Sequence, residues 1–550
     1  MFIRVKSTPN SPRKSVQIVE SVRRKDKIVQ KIVRYIGVAM DEQELVQMKA
    51  LAETVRVKLE DGTQQNLFQP ETLVSLSQKA ADKKEAPDEK YRVNLKDMIE
   101  EQRIIKGIHN VYGKLFDELG YNSLFTAREK AASRYFKNVV MARIANPSSK
   151  RESVRNLEED FGVSLNLDMV YRMMDEMTDE RIEKLQKLTG DNTLGLLGQK
   201  IDVMFYDVTT VYFESFSEDE LKKNGYSKDL KFNQPQVLLG LLVSKEGLPV
   251  GYEIFAGDKY EGHTMLPVLR KIRERYDLDK IFVVADSGMM NKDNIADLKK
   301  EGFKFVVGAR LKNLSKEITA KILNMDAYHK LSDESEYSMA KFHIGDESLI
   351  VSYSPGRAKK DRLDREKGIM KLRKKLEKQK TIKGHLSDNG YKKYLKITGE
   401  SGIELDEEKL QTAGKWDGLH GVFTNDFELL PGDILKQYRN LWHVEAAFRV
   451  NKHDLKVRPI YHWTPKRVKA HLGIAFVAYA LVAMLEYRVK LQYKNMSAEE
   501  IRRNLIKVQS SILRNKKTGL KYLFPSGVPP DAQKIYQIMG IKALLKPQIL

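Results

Sequence analysis

The segment from Ile201 to Leu311 constrains the fold most, because apolar β-forming runs alternate there with helical patterns in a fixed order. Runs rich in β-branched and aromatic residues predict strands, and runs with a period near 3.6 predict helices. The predicted elements are strand 201–213, a hairpin over 237–255 about the turn 245–247, helix 264–276, strand 280–288, helix 291–301 and strand 304–311. The order β-β-β-α-β-α-β predicts three antiparallel strands, followed by parallel strands added through helical crossovers.

This order of strands and helices is that of an RNase H-like domain. Two of its predicted strands each carry an aspartate. Asp207 lies in the first strand and Asp286 lies at the C-terminal end of the fourth. Those strands are neighbours in such a sheet, so the two carboxylates should converge. Each aspartate alone is more often a hydrogen-bonded structural residue, because an unpaired Asp is costly to bury. The two together at these positions favour a shared site.

The composition favours a polyanionic partner. Lys plus Arg number 96 against 75 Asp plus Glu, which gives a formal net charge of +21. Such an excess is typical of chains that bind nucleic acid or an acidic membrane surface. The most apolar run, Leu472 to Leu485, is shorter than the roughly 20 residues of a transmembrane helix, so it predicts a core helix and weakens the membrane alternative. The absence of cysteine and of an apolar signal-peptide core favours the cytoplasm.

The segment from Tyr438 to Lys452 is interpreted as one helix, since it has no Gly or Pro. At about 100° per residue, Tyr438, Glu445 and Lys452 lie on one line, with Trp442 and Arg449 beside it. This stripe could bring a carboxylate to a metal ion and cations to a polyanion. The alternative is a half-buried helix in which Glu445 pairs with Arg449. Counted with the two aspartates, Glu445 makes a set of three carboxylates suited to Mg²⁺ or Mn²⁺.

Three sequence blocks resemble the DDE insertion-sequence transposases. They are DVTTVYFES (207–215), VVADSGMMN (283–291) and the spacing Tyr438-x6-Glu445-x6-Lys452, and they are similar above all to the bacterial cut-and-paste group with a β-rich insertion before the last acid. The resemblance implies a DNA transposase that binds terminal inverted repeats and target DNA, cleaves and joins strands, and acts as a homodimer. It implies a cytoplasmic, nucleoid-associated protein of a bacterium or archaeon, with no membrane partner.

The resemblance also implies roles for individual residues. Asp207, Asp286 and Glu445 would be catalytic and would hold two Mg²⁺ (or Mn²⁺) ions about 4 Å apart. The expected DNA contacts are Tyr438, Arg439, Trp442, Arg449 and Lys452. Members of the group carry Arg three residues after the Tyr, where this chain has Leu441. We suggest that Arg449, one turn beyond Glu445, takes over that phosphate contact.

Two further regions are candidate DNA contacts. Residues 16–24 and 27–37 predict a cationic hairpin, and 150–177 predicts two short helices about Phe161-Gly162 that resemble a helix-turn-helix. The segment from Lys359 to His385 is strongly basic and predicts a helix that could follow flanking DNA. For the hairpin and the basic helix a solvated cationic surface is the alternative. For the two short helices the alternative is an ordinary helical hairpin, which is common in all-α regions.

The fold class expected from these patterns is α/β. An RNase H-like catalytic domain would be interrupted by a β-rich insertion, with N-terminal β-hairpin and helical DNA-binding regions and a helical C-terminus. The predicted divisions are 1–93, an N-terminal mixed α/β module with linker; 94–198, a helical DNA-binding region; 199–335, the first part of the catalytic domain; 336–425, the β-rich insertion with a basic helix; 426–490, the second part of the catalytic domain; and 491–550, a helical C-terminal region. Two alternative functions are a metal-dependent nuclease or resolvase of the same fold, and a DNA-binding regulator that has lost catalysis.

Overall fold

The computed structural model describes most of the chain. The described residues are 1–7, 14–24, 27–39, 45–46, 48–49, 52–53, 56, 91–198, 203–214, 217–226, 233–276, 282–286, 292–330, 337–378, 392–398 and 402–550. They divide into two compact units, Met1–Leu95 and Lys96–Leu550. The finer division into six parts stays a prediction.

The first unit contains a three-stranded antiparallel sheet in the order β1-β2-β3. Its strands are β1 (Phe2–Ser7), β2 (Lys14–Arg24) and β3 (Lys27–Ala39). Val16, Ile18 and Ala39 are buried in its core. The predicted hairpin is confirmed as β2 and β3, whereas β1 was not predicted. The hairpin turn at 25–26 and most of residues 40–90 of the predicted N-terminal module lie outside the described residues.

The second unit begins with a strand and a group of packed helices. They are β4 (Met98–Ile105), α1 (Gly107–Glu118), α2 (Lys130–Ala145), α3 (Lys150–Phe161), α4 (Leu167–Asp175) and α5 (Asp179–Leu196). Ser149 caps α3 by accepting from the Glu152 amide at 3.2 Å. Gly162 ends α3 at φ +66°, a conformation that favours glycine. The two predicted short helices are therefore present as α3 and α4.

The predicted order of strands and helices after residue 200 is confirmed. The elements are β5 (Val203–Tyr212), β6 (Gln236–Ser244), β7 (Pro249–Ala256), α6 (Met265–Tyr276), β8 (Phe282–Ala285), α7 (Lys292–Lys300) and β9 (Lys304–Ala309). The strands β5, β6 and β7 are antiparallel, and β8 pairs in parallel with both β5 and β9. Within the sheet these five strands lie in the order β7-β6-β5-β8-β9.

The predicted insertion continues this sheet. Its elements are α8 (Lys316–Leu323), β10 (His329–Lys330), β11 (Ser338–Ile344), β12 (Glu347–Tyr353), α9 (Pro355–Lys378), β13 (Leu395–Thr398), β14 (Gly402–Leu405), α10 (Glu407–Gly414) and β15 (Leu419–Thr424). The described sheet has nine strands, because β15, β12, β11 and β10 add in turn beyond β9. The basic segment forms α9 as far as Lys378, and residues 379–391 lie outside the described range.

The prediction of one helix from Tyr438 to Lys452 is wrong. Two helices, α11 (Pro431–Arg439) and α12 (Trp442–Arg449), are followed by a π-helical turn, Val450–Asp454. At the break the amides of Leu441, His443 and Val444 each donate to the carbonyl three residues earlier, at 3.0–3.1 Å. Asn440 is a weak helix former, and this 3₁₀-like turn changes the direction of the chain between the two helices.

The prediction of an all-helical C-terminal region is also wrong. Its elements are α13 (Pro465–Gln492), α14 (Ala498–Ile506), β16 (Gln509–Asn515), β17 (Lys521–Pro525), α15 (Pro530–Ile538) and β18 (Gln548–Ile549). The strands form a sheet in the order β18-β17-β16-β4. The strand β4 lies in a region that was predicted to be helical. Its partner β16 is about 400 residues away, a pairing that local sequence does not reveal.

The core helix α13 runs through the second unit. The helix is 28 residues long. The apolar run Leu472 to Leu485 was predicted to be too short to span a membrane, and that prediction was wrong about the length of the helix. Of its most apolar window, 89% is buried inside the described structure. That burial, against α1, α2, α4 and α5, is what a core helix shows.

Substitution within α13 distinguishes its buried face from its exposed end. Leu481→Ala removes a fully buried side chain and should lower the free energy of unfolding by about 2–5 kcal/mol. Leu491→Ala, on the same helix but 62% exposed, should change it by less than about 0.5 kcal/mol. Urea unfolding followed by circular dichroism measures both. Equal effects of the two substitutions would contradict the packing described.

Candidate active site

Asp207 and Asp286 lie side by side at the centre of the sheet. The parallel register pairs Phe205 of β5 with Val284 of β8, so two residues further on Asp207 is level with Asp286. Neighbouring strands are about 4.8 Å apart. Asp207 is half-buried and its Oδ1 accepts from the Val208 amide at 2.7 Å, whereas Asp286 is exposed. The sheet therefore brings together two of the three predicted acids.

Glu445 is carried by α12, which packs against β5 and β6. The buried face of α12 is formed by Val444, Ala447 and Phe448, which leaves Glu445 exposed. In the described structure Glu445 makes no ion pair, with Arg449 or with any other residue. The alternative of a Glu445–Arg449 pair is therefore wrong.

Tyr438 is affected by the charges of two of the three acids, Asp286 and Glu445. Burial, followed by the negative charges of Asp286 and Glu445, raises the pKa of Tyr438 to about 12. A phenolate would be repelled by both carboxylates, so both must lie within electrostatic reach of the hydroxyl. Tyr438 therefore keeps its proton at neutral pH and can donate a hydrogen bond.

His420 was not identified from the sequence, although the β-rich insertion 336–425 that contains it was predicted. It lies on β15, and its ring centre is 5.1 Å from that of Tyr438. Burial, followed by the positive charges of Arg357 and Arg439, lowers the pKa of His420 to about 4. The imidazole is therefore neutral at pH 7. Its place in the predicted insertion gave no sign of this contact, because the contact depends on β15 joining the sheet beside α11.

The predicted DNA contacts differ in exposure. Trp442 is 53% exposed and Arg439 is exposed, with its guanidinium 4.0 Å from the ring centre of Tyr337. Lys452 is half-buried over the ring of Phe448. Arg449 is exposed and makes no hydrogen bond or ion pair within the described residues. Leu441 is only 7% exposed, so that position faces the core.

The donor chemistry of the three acids suits a hard divalent cation, which prefers carboxylate oxygens. Among the described residues, however, no three His, Asp or Glu side chains are close enough together to hold a metal ion. Two of the three candidate ligands are thus neighbours in the sheet, and Glu445 would have to move closer to complete the set.

A family model described as "Transposase DDE domain" matches residues 198–481, just over half of the chain. The chain belongs to this family. The match spans Asp207, Asp286, Glu445 and the five expected DNA contacts from Tyr438 to Lys452. Membership of the family confirms the resemblance inferred from the three sequence blocks.

Solved structures add only distant likenesses. A piggyBac transposase synaptic complex with hairpin DNA is 9% identical over 72% of this chain and 76% of that chain, with a TM-score of 0.38. A pre-cleavage Mos1 transpososome is 11% identical over 29% and 54%, and a Mos1 paired-end complex with the left transposon end is 12% identical over 46% and 71%, each with a TM-score of 0.14. TM-scores this low do not establish a shared fold. Comparison with curated proteins finds no match.

The proximity of Asp286 and Glu445 can be tested by cross-linking, because the chain has no cysteine. The double variant Asp286→Cys/Glu445→Cys should be joined within one chain by a short thiol-specific cross-linker, since Asp286 follows β8 and Glu445 lies on α12, which packs against the neighbouring strand β5. The control Asp286→Cys/Glu183→Cys places the second thiol on an exposed face of α5 and should not cross-link. Mass spectrometry of the digested protein gives the yields, and equal yields would contradict the geometry.

Proposed function

We propose that the chain is the transposase of an insertion sequence, which binds the terminal inverted repeats of its element and moves it by cutting and joining DNA strands. The observation that carries this proposal is the register of β5 on β8, which sets Asp207 beside Asp286 within the matched transposase domain. Glu445 follows on a helix packed against the same strand. The strand order β7-β6-β5-β8-β9 supports an RNase H-like catalytic domain.

The three acids are the residues that would hold divalent ions, Mg²⁺ or Mn²⁺. Such ions, when bound, supply activation of an attacking hydroxyl and stabilisation of the leaving oxygen in phosphoryl transfer. Asp207 and Asp286 lie on rigid strands, and Glu445 would approach them as α12 shifts at the turns on either side of it. This chain therefore supplies fixed ligands on the sheet and an adjustable one on the helix.

The residues around the acids would hold the DNA. Tyr438 is protonated at neutral pH and can donate to a phosphate oxygen, while it remains a poor nucleophile. The exposed guanidinium groups of Arg439 and Arg449 and the ammonium group of Lys452 would neutralise backbone phosphates. Trp442 offers an exposed aromatic face for an unpaired base. The net charge of +21 supports a DNA partner, and a homodimer would pair two element ends.

Replacing each acid by its amide tests the catalytic assignment. Asp207→Asn, Asp286→Asn and Glu445→Gln should each lower the rate of metal-dependent cleavage of a terminal-repeat duplex by about 10² to 10³-fold or more, as when one preorganised charge is removed. DNA binding, measured by fluorescence anisotropy, should be retained. Asp293→Asn, an exposed aspartate on α7, is the matched control and should keep full activity.

Strand joining separates the rival functions. A transposase should insert pre-cut ends into an acceptor plasmid, whereas a nuclease or resolvase of the same fold would cut without inserting them. A protein that binds DNA but neither cuts nor joins it would instead be a regulator.

Arg449→Gln tests whether Arg449 makes the phosphate contact that other members of the family make with an arginine at the position of Leu441. Because Leu441 is buried and Arg449 is exposed without an ion pair in the described structure, the variant should weaken binding of the cut end by about tenfold. Arg503→Gln, an exposed arginine on α14 that pairs with Glu499, is the control for removal of one positive charge. An effect no larger than that of the control would end the assignment of Arg449.

A further inference from the structure

A cavity lined by basic side chains lies in the helical region, away from the three acids. The segment 456–463, which leads into α13, faces the first turn of α3 across a cavity of about 230 Å³. The cationic and imidazole groups that line it are Arg143, Lys150, Arg151, Lys456, Arg458, His462 and His471. We call this cavity the Lys150 pocket. Among the described residues, no Asp or Glu lines it.

Two of these cations are buried. Lys150 is 4% exposed and Arg143 is 3% exposed. Arg143 Nη1 donates to the carbonyl oxygens of Leu455 and Lys456 at 3.2 and 3.3 Å, and neither cation has a carboxylate partner in the described structure. Burying a charge without a counter-ion is costly, so buried cations are ordinarily paired. Burial, and then the charge of Arg143, lower the pKa of Lys150 well below its usual value. An anion bound beside the amine would offset that cost and favour its charged form, so the two buried basic groups favour an anionic ligand.

The neighbouring imidazoles do not supply a negative charge. His471 Nε2 lies 3.0 Å from the Val457 carbonyl oxygen, and Nδ1 lies 3.3 Å from Lys150 Nζ. Burial and then the charges of Lys150 and Arg143 lower the pKa of His462 to about 3, and hold that of His471 well below its usual value. Both rings are neutral at pH 7 and add no compensating charge.

The nearby acid is already paired. Asp175 accepts two hydrogen bonds from the Arg467 guanidinium, at 2.7 and 2.6 Å. Its charge is thus largely neutralised outside the pocket. The local excess of positive charge remains available to a ligand.

The backbone adds to the attraction for an anion. Ser149, Lys150 and Arg151 line the pocket, so the N-terminus of the 12-residue helix α3 is directed at it. The amide groups of a first helical turn carry partial positive charge and commonly bind phosphate. Here this feature coincides with two buried cations, an independent indication of an anionic ligand.

We propose that the Lys150 pocket binds a backbone phosphate of DNA, an assignment that rests on the proposed function. DNA is favoured over a free phosphate because Tyr461 and Trp463, on the same segment, are 60% and 76% exposed and can stack on bases. The segment also leads toward the acids. Ile460 donates to the Tyr212 carbonyl at 3.1 Å, which ties it to the end of β5, the strand of Asp207.

The test compares Lys150→Met with Lys187→Met in the full chain. Lys187 is exposed on α5 and pairs with Asp191, so it controls for removal of one lysine. Binding of a duplex of the element end is measured by anisotropy over a range of salt concentrations. Lys150→Met should make the slope of log K against log salt shallower by about 0.9 for each phosphate that the protein no longer neutralises, and Lys187→Met should leave the slope unchanged.

A second arm separates the sources of phosphate. Inorganic phosphate, compared with chloride at equal ionic strength, should raise the Tm of the wild type and of Lys187→Met more than that of Lys150→Met, because a ligand stabilises the state that binds it. Loss of phosphate stabilisation with an unchanged DNA slope would overturn the DNA assignment in favour of a free anion. Unchanged values in both arms would overturn the pocket altogether.

Two controls separate a variant that does not fold from a failure of the proposed function. If Lys150→Met does not fold, Arg151→Gln, an exposed substitution at the same pocket, is put through both arms and decides by the same criteria. Wild-type cleavage of the duplex is measured in parallel. An active wild type with an unaffected slope in the variant rejects the assignment of DNA to the pocket alone, whereas a wild type that neither binds nor cuts DNA rejects the proposed function.

Discussion

The positions of Asp207 and Asp286 depend on the parallel pairing of β5 with β8. The two strands are buried among apolar neighbours, and their register fixes the relative height of every residue along them. A shift by one residue would turn the side chains of one strand to the opposite face. The same hydrogen bonds and packing that stabilise the sheet therefore set Asp207 level with Asp286, at the point where β8 ends.

The helix α12 contrasts with this rigid pair. It has only eight residues and lies between a 3₁₀-like turn at Asn440-Leu441 and the π-helical turn that begins at Val450. Irregular turns of this kind often mark hinges within helices. A fixed pair of acids and a third on a short, separately bounded helix form an arrangement that binding of metal and DNA can complete. The charges that act on Tyr438 indicate that the third acid is already nearby.

The strands around the acids could be predicted because their signals are local. Apolar runs, the turn at 245–247 and the alternation with helices fix the order from β5 to β9, and a parallel β-α-β connection then brings Asp207 and Asp286 together. The contact of His420 with Tyr438 could not be predicted, since it depends on β15 joining the sheet after a segment of more than a hundred residues. The pairing of β4 with β16 was missed for the same reason. The break at Asn440 was missed because Leu441 is buried by tertiary packing, which overrides a favourable helical composition.

The central claim is that the two sheet aspartates and Glu445 together bind a divalent cation over DNA. Anomalous diffraction from crystals of the chain with its element end and Mn²⁺ tests this most directly. If the three acids hold the ion, a manganese peak should lie beside the carboxylates of Asp207 and Asp286, and the Glu445 carboxylate should have moved toward it. A peak remote from both aspartates, or a competent DNA complex in which Glu445 stays turned to solvent, would contradict it.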